Sequence, residues 1–502
     1  MLYPAELRGP DAIALGLARS PGKVRPCYDR RRVILAFFSK STRSRWRAVA
    51  FTSFVALVWL NQSLGGTDWE AFRDRTLADP SAHLVDAIRY PFMFLYRRAP
   101  DEALYYATAS ATLGRPYDVD VGKTRGDSPL PPLGHPEDGR FHMPYAEVPL
   151  EYPPPNLPFV IAPRVVTSTF ATYAYAFGAL MGGLLIAAGL IAARLGARAR
   201  GSDDEAPRIF ALGLLLLAHG AIAIQRLDAI VALLLVLMVR AAVRREDGAL
   251  GLWGGLLGAT KFVPILVLPV LVIASGVRGG KRLAAIALGA TVGLALGLGP
   301  MIVMGRESLP AVLAYHAARG LHVESTLGVL YGTLKAVLGR PEASLLDYGS
   351  FNFHGRVADL LAKAALPLTL ALVGFVGYAS RPRDDRAPET ETETEADPEA
   401  ARTEHIVLAA LAATTALWLG GKVFSPQYLT WALPLVLALP GRSWVRISVA
   451  LGLVVLVSQI YLRGYYDHVY NQWPAGVITM VVRLVLLAVL SRMLLVRLRR
   501  SW

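Results

Sequence analysis

The sequence predicts an all-α polytopic membrane protein with about twelve transmembrane helices and an external amphipathic-helix module between the first two spans. Three observations point there. The 502 residues are 54% hydrophobic and only 18% charged, less charge than soluble chains of this size carry. Apolar runs recur along the chain after residue 47. The Lys and Arg residues behind a net charge of +14 cluster in short tufts between alternate runs, the pattern of cytoplasmic loops rather than of a nucleic-acid-binding face.

Residues 1–47 read as a basic cytoplasmic tail, too charged before the first apolar run to be a signal peptide. Its single cysteine, Cys27, excludes an intrachain disulfide and any multi-cysteine metal site. Arg43, Arg45 and Arg47 hold the N-terminus inside, so the span at 48–64 leads outward. An external segment at 65–166 follows. Up to residue 113 it mixes charged and aromatic residues at helical spacing, as in helices lying on a membrane surface. Its end, Leu150-Glu151-Tyr152-Pro153-Pro154-Pro155, reads as a rigid extended loop.

The charge rule then alternates the remaining spans. Residues 170–192 return inside to Arg194 and Arg198. Short runs at 208–224 and 229–243 flank an outward tip, Gln225-Arg226-Leu227-Asp228. Short runs at 248–260 and 262–276 flank Lys261. About fifteen residues barely cross a hydrocarbon core, so these helices end within it and leave their polar tips in a recess. Residues 283–304 lead to a second external segment, 305–356, and 357–379 return inside. The acidic stretch 380–404 reads as a disordered cytoplasmic linker. Spans at 405–420, 429–440, 444–461 and 475–497 complete the domain at 48–498, and 499–502 end in the cytoplasm.

The external side therefore collects the chemistry. Asp101, after Pro100, suits either a helix N-cap or a general base, and Asp68 is a rival for both roles. Lys261 reads either as a snorkelling lysine or as a cation facing a lipid phosphate. Arg319 and His322, three apart, would share a helical face with His316 nearby and suit phosphate, or else touch headgroups nonspecifically. Lys422 opens the polar turn before Ser425-Pro426-Gln427-Tyr428. Tyr465, Tyr466, Tyr470 and Trp473 read as an aromatic membrane belt. The histidines lack metal-ligand spacing, so no metal is expected. No Gly-rich phosphate loop is present, which argues against a cytosolic nucleotide-sugar donor.

Taken together, five strings in order resemble glycosyltransferase family 87, of the C-type superfamily of polytopic glycosyltransferases that includes the phosphatidylinositol-mannoside mannosyltransferases. They are Asp101-x-x-x-Tyr105-Tyr106 with Gly114-x-Pro116-Tyr117, Tyr152-Pro153-Pro154, Lys261-x-x-Pro264, Arg319-Gly320-Leu321-His322-Val323-Glu324-Ser325, and Ser425-Pro426-Gln427-Tyr428. The resemblance implies a polyprenyl-phosphate sugar as donor, mannose by the family's better-known members, and a lipid or glycan acceptor. Transfer would invert the sugar carbon on the outer face of a bacterial cytoplasmic membrane, by a monomer needing no cofactor. Carried over, Asp101 takes the acceptor proton, with Asp68 the alternative. His322, Arg319, Lys261 and Lys422 hold the donor phosphate. Glu151, Tyr152, His316, Glu324, Ser325, Gln427 and Tyr428 line the substrate. One departure stands out: in the family the base follows the first span closely, whereas about 35 residues separate Asp101 from it. The competing reading is a transporter or flippase for a lipid-linked sugar, against which stand the one-sided clusters and the lack of internal repeats.

Overall fold

The computed structural model describes residues 100–119, 133, 138–199, 205–305, 307–382, 397–464 and 466–501. The tail with Cys27, the span at 48–64, Asp68 and most of the acidic linker lie outside the described residues.

The first described helix, α1 (Pro100–Thr112), is not a surface helix. Residues 104–112 are buried throughout, because α1 packs between α2 (Leu157–Val165) and α3 (Phe170–Arg198). Its end is fixed by Gly114, whose φ of 60° closes the helix where any side chain would strike the Arg140 backbone. Arg164 ties the same end down, donating to Ser110 Oγ at 2.8 Å and to the Pro116 carbonyl at 3.3 Å. The proline run is not an extended loop either. Pro154 starts a 3-10 turn, Pro154–Asn156, that feeds α2, since proline at a first helical position gives up only an N–H that has no intrahelical partner.

Seven helices among the described residues are long and apolar enough to span a membrane. They are α3, α4 (Glu205–His219, extended by a 3-10 turn to Ala223), α8 (Gly280–Met304), α11 (Arg356–Ala379), α12 (Pro398–Gly420), α13 (Ser443–Gly464) and α15 (Pro474–Leu498). Between them lie the short helices the apolar runs predict: α5 (Asp228–Arg244), α6 (Asp247–Thr260) and α7 (Val267–Ala274). The run at 429–440 departs from expectation. It forms two 3-10 turns, Pro426–Trp431 and Leu435–Ala438, and every residue in it is buried. Pro426, Pro434 and Pro440 interrupt the α-helical ladder, and surrounding helices shield the irregular backbone as membrane depth requires.

α6 and α8 run together on glycines. Side chains at Gly251 and Gly255 would collide with the backbone of Ile286 and Ala290, and at Gly289 and Gly293 with that of Gly248 and Leu252. Small residues on both sides bring the two backbones together.

The bundle sorts its polar groups to two ends. At one, Arg208 donates to the carbonyls of Leu437 and Leu439 at 2.5 and 2.6 Å, and Arg402 to those of Val243 and Ala242. Arg282 grips Asp247 there at 2.6 and 2.8 Å, and His405 bridges Ser501 and Ser380. Those are segments the charge rule assigns to the inside. At the other end gather the 226–228 tip, Lys261, the second external segment and the turn after α12.

That second segment, 305–356, is a folded unit. It holds α9 (Ser308–Ala318), β1 (Leu321–His322), α10 (Thr326–Val337), β2 (Leu345–Asp347) and β3 (Ser350–Phe353). The strands form an antiparallel sheet in the order β1-β3-β2, with His322 opposite Asn352. Arg319 and His322 therefore do not share a helical face: α9 ends at Ala318, Arg319 is already non-helical with ψ at 132°, and Gly320 follows. Two of the aromatic residues after α13 also pack inward, while Trp473 is 47% exposed. Tyr470 stacks on Phe351 with centroids 4.4 Å apart, and Tyr466 meets the same ring edge-on.

Candidate active site

The cation–carboxylate cluster begins where α6 stops. Pro264 cannot donate to a continuing helix, so the chain leaves α6 at Lys261 with an extended backbone, φ −154° and ψ 113°. Its side chain is 29% exposed, and the amine donates to Asp228 Oδ1 at 2.7 Å. Trp431 Nε1 donates to the same oxygen at 2.6 Å. The ammonium also lies 3.9 Å from the Tyr428 ring centroid and 5.1 Å from that of Trp431, a cation–π seat that holds charge where water is scarce. Two residues before Asp228, Arg226 pairs with Asp101 from the first turn of α1.

Tyr105, one turn further along α1, lies beside this pair and donates to Tyr152 Oη at 3.5 Å. Burial pushes its hydroxyl above the ordinary tyrosine range, and the Asp101 anion adds to this. Glu151 stands beside Tyr315 Oη on α9, whose hydroxyl donates to the Tyr348 carbonyl at 2.8 Å. Next on α9, His316 meets Phe262 and Tyr315 edge-on. Burial first, and then repulsion from the neighbouring Arg319, Lys261 and Lys422, lowers its pKa to about 4, so the ring is neutral at pH 7. Lys422 closes the set by donating to the Ala317 and Arg319 carbonyls at 2.8 and 2.9 Å. It thereby caps the end of α9. Burial, then repulsion from Arg319, lowers its pKa. Arg319 donates to Ser350 Oγ at 2.9 Å, and its buried Nε makes no hydrogen bond.

Longer helices wall this floor. Gly297 of α8 packs on Ala259 and Pro155, so the rest of α8, to Met304, continues about 10 Å past the level of Ala259 at 1.5 Å per residue. Gly420, where α12 ends, packs on Thr369, and α11 extends some 20 Å beyond that level to Arg356.

The structure thus brings Asp101, Glu151, Tyr152, Lys261, His316, Arg319, Lys422 and Tyr428 together. Three other residues singled out in the sequence serve the framework. His322 is 3% exposed. Its ring bonds the Phe424 backbone, and burial lowers its pKa to about 4. Glu324 is buried against Arg483 of α15 at 3.1 Å and accepts from Tyr461 Oη at 2.6 Å. Ser325 caps α10 through the Gly328 N–H. Gln427, behind the Lys261 seat, has a buried carbonyl oxygen with no hydrogen-bond partner. Asp228, Trp431 and Arg226 were absent from the sequence-level site. Their signal was available: two charges at the tip of two short apolar runs, and a tryptophan in a proline-broken run. Among the described residues, no three of His, Cys, Asp and Glu converge as a metal site.

A polytopic α-helical protein with a cluster of carboxylates and cations at the ends of shortened helices belongs to the class of membrane proteins whose ionisable groups mark a substrate or ion path. The family model makes this specific. Residues 150–392 match glycosyltransferase family 87, a match that supports membrane glycosyltransferase activity for the chain. The matched stretch holds three of the five strings, those at Tyr152, Lys261 and Arg319. Asp101 and Ser425–Tyr428 lie outside it. No match is found among curated proteins.

Proposed function

We propose that the chain transfers a hexose, mannose in this reading, from a polyprenyl-phosphate sugar to a lipid or glycan acceptor. The face is extracytoplasmic, the membrane a bacterial cytoplasmic membrane, the working unit a monomer, and the anomeric carbon is inverted. The observation that carries the proposal is that Asp101, a partly exposed carboxylate, shares one walled floor with Lys261, Arg319, His316 and Lys422. A donor phosphate seated among the four would bring its anomeric carbon toward Asp101.

The acceptor hydroxyl gives its proton to Asp101 as its oxygen bonds the anomeric carbon. The bond from that carbon to the phosphate oxygen breaks, and its electron pair leaves on polyprenyl phosphate. Protonated Asp101 then returns its proton to water. The growing charge on phosphate falls among the cations and the neutral His316 N–H, where low dielectric strengthens each contact. This supplies the charge neutralisation without a resident cofactor. Glu151, Tyr152, Gln427 and Tyr428 offer hydrogen bonds and ring faces to the sugar. His322 braces the strand behind the site, and His316 takes the place beside the phosphate.

Purified protein in nanodiscs, supplied with either polyprenyl-phosphate-mannose or a nucleotide-linked mannose, tests this. The expected result is release of free polyprenyl phosphate coupled to glycosylation of added membrane lipid, with no turnover of the nucleotide sugar. Use of the nucleotide sugar, or movement of the lipid donor across the membrane without cleavage, would overturn it.

A further inference from the structure

Arg226 is the one cation of the cluster that holds the proposed base itself. It sits in the four-residue connection between α4 with its 3-10 turn and α5, and its guanidinium pairs with Asp101. Asp228, Tyr105 and Tyr152 surround it. Although only 16% exposed, it leaves a donor unused: its Nε is buried with no hydrogen-bond partner. A guanidinium has five N–H donors in a flat fork that matches phosphate oxygens as well as carboxylate oxygens. An arginine bonded to a carboxylate oxygen occupies a lone pair that would otherwise accept a proton.

Lys261 repeats the arrangement one step away, its amine held by Asp228. The floor therefore reads as a row of alternating charge: Asp101, Arg226, Asp228, Lys261. Each of these two cations is partnered by a carboxylate of the protein. A phosphate entering the row competes with both carboxylates for the same donors. Resting on the function proposed above, we infer that Arg226 is an anion-operated latch: it binds the donor phosphate through its fork and in doing so releases Asp101 to act on the acceptor hydroxyl. Base activation would then be tied to donor occupancy, and water reaching an empty site would meet a masked carboxylate. Differential affinity of the guanidinium for phosphate over Asp101 is all the shift requires.

The test uses the full chain in nanodiscs and farnesyl phosphate, a short polyprenyl monophosphate with no sugar, read by equilibrium binding. Removing the competitor in Asp101→Asn should tighten farnesyl phosphate binding at least about threefold. Arg226→Gln should weaken it about tenfold or more, and Arg226→Lys less. The double variant should behave like Arg226→Gln alone, a non-additivity expected of groups that share one partner. Thermal melting of each variant serves as the fold control, and if Arg226→Gln does not fold, Asp101→Asn and Arg226→Lys carry the comparison. Unchanged binding in folded Arg226→Gln, or weaker binding in Asp101→Asn, would overturn the latch while leaving the donor class standing. Failure of the unaltered protein to bind farnesyl phosphate would remove the donor reading, and the latch with it.

Discussion

Replacing Glu324 by Gln should unfold the protein more easily rather than weaken its hold on substrate. Glu324 and Arg483 are each 2% exposed. Arg483 reaches the Glu324 carboxylate at 3.1 Å and its carbonyl at 2.8 Å, while Tyr461 Oη donates to the carboxylate at 2.6 Å. The Arg483 guanidinium also lies 4.3 Å from the Phe424 ring centroid. Glutamine preserves the shape and can still accept from Tyr461, but it strands a cation in a dry interior. Breaking a buried pair from one side costs about 3–5 kcal/mol, whereas replacing both partners by apolar residues is often neutral. Glu324→Gln and Arg483→Met should therefore each lose about 3 kcal/mol. The Glu324→Met/Arg483→Met pair should lose less than the sum, with a coupling of about 1–3 kcal/mol. Unfolding in rising SDS mole fraction, followed by tryptophan fluorescence, measures this, with donor KM recorded on the folded variants. A Glu324→Gln protein within about 0.5 kcal/mol of the parent, with a raised donor KM, would refute the argument and return Glu324 to the substrate.

Other consequences follow from the same geometry. Lys261→Met should lower kcat/KM for the lipid donor about 100- to 1000-fold, the loss typical of removing one donor to a developing anion; a steady-state assay showing less than tenfold would take Lys261 out of the phosphate seat. His322 titrates near 4 when folded and near 6.5 unfolded, so below 6.5 the unfolded chain takes up the proton first. Stability is then complete above pH 6.5 and declines as pH falls toward 4, on the order of 3 kcal/mol for this group. SDS unfolding at pH 7 and pH 5 should show the slope, and His322→Gln should flatten it.

Some of this was legible in the chain and some was not, for identifiable reasons. The ends of the short helices were readable because Lys261 is followed by Pro264, and apolar runs of about fifteen residues cannot cross a bilayer unaided. The clustering of Asp101, Lys261, Arg319 and Lys422 could be anticipated from the alternation of basic tufts, which places them on one side. What failed was local periodicity. Arg319 and His322 are three apart, but Gly320 and the pairing of His322 with Asn352 put the stretch in a strand, so His322 lies buried beside Arg319 rather than on a helical face with it. The run at 429–440 is apolar enough for a span, yet its prolines turn it into buried 3-10 turns. Arg483 stood in plain view inside the last apolar run, an arginine that had to find a buried partner. Its partner, Glu324, is 159 positions away, a pairing no spacing rule reveals. The same distance problem hid Arg226, whose role appears only when α1 is seen packed against the tip it occupies.

Asp101 is the residue on which the proposed transfer depends most directly. Single-turnover transfer from radiolabelled polyprenyl-phosphate-mannose to membrane lipid, compared among the parent protein, Asp101→Asn and Asp68→Asn, tests it. Label should pass to a second lipid in the parent and in Asp68→Asn and stay on the donor in Asp101→Asn, with donor binding retained. Full transfer by Asp101→Asn, or its loss only in Asp68→Asn, would contradict the placement of the base on this floor.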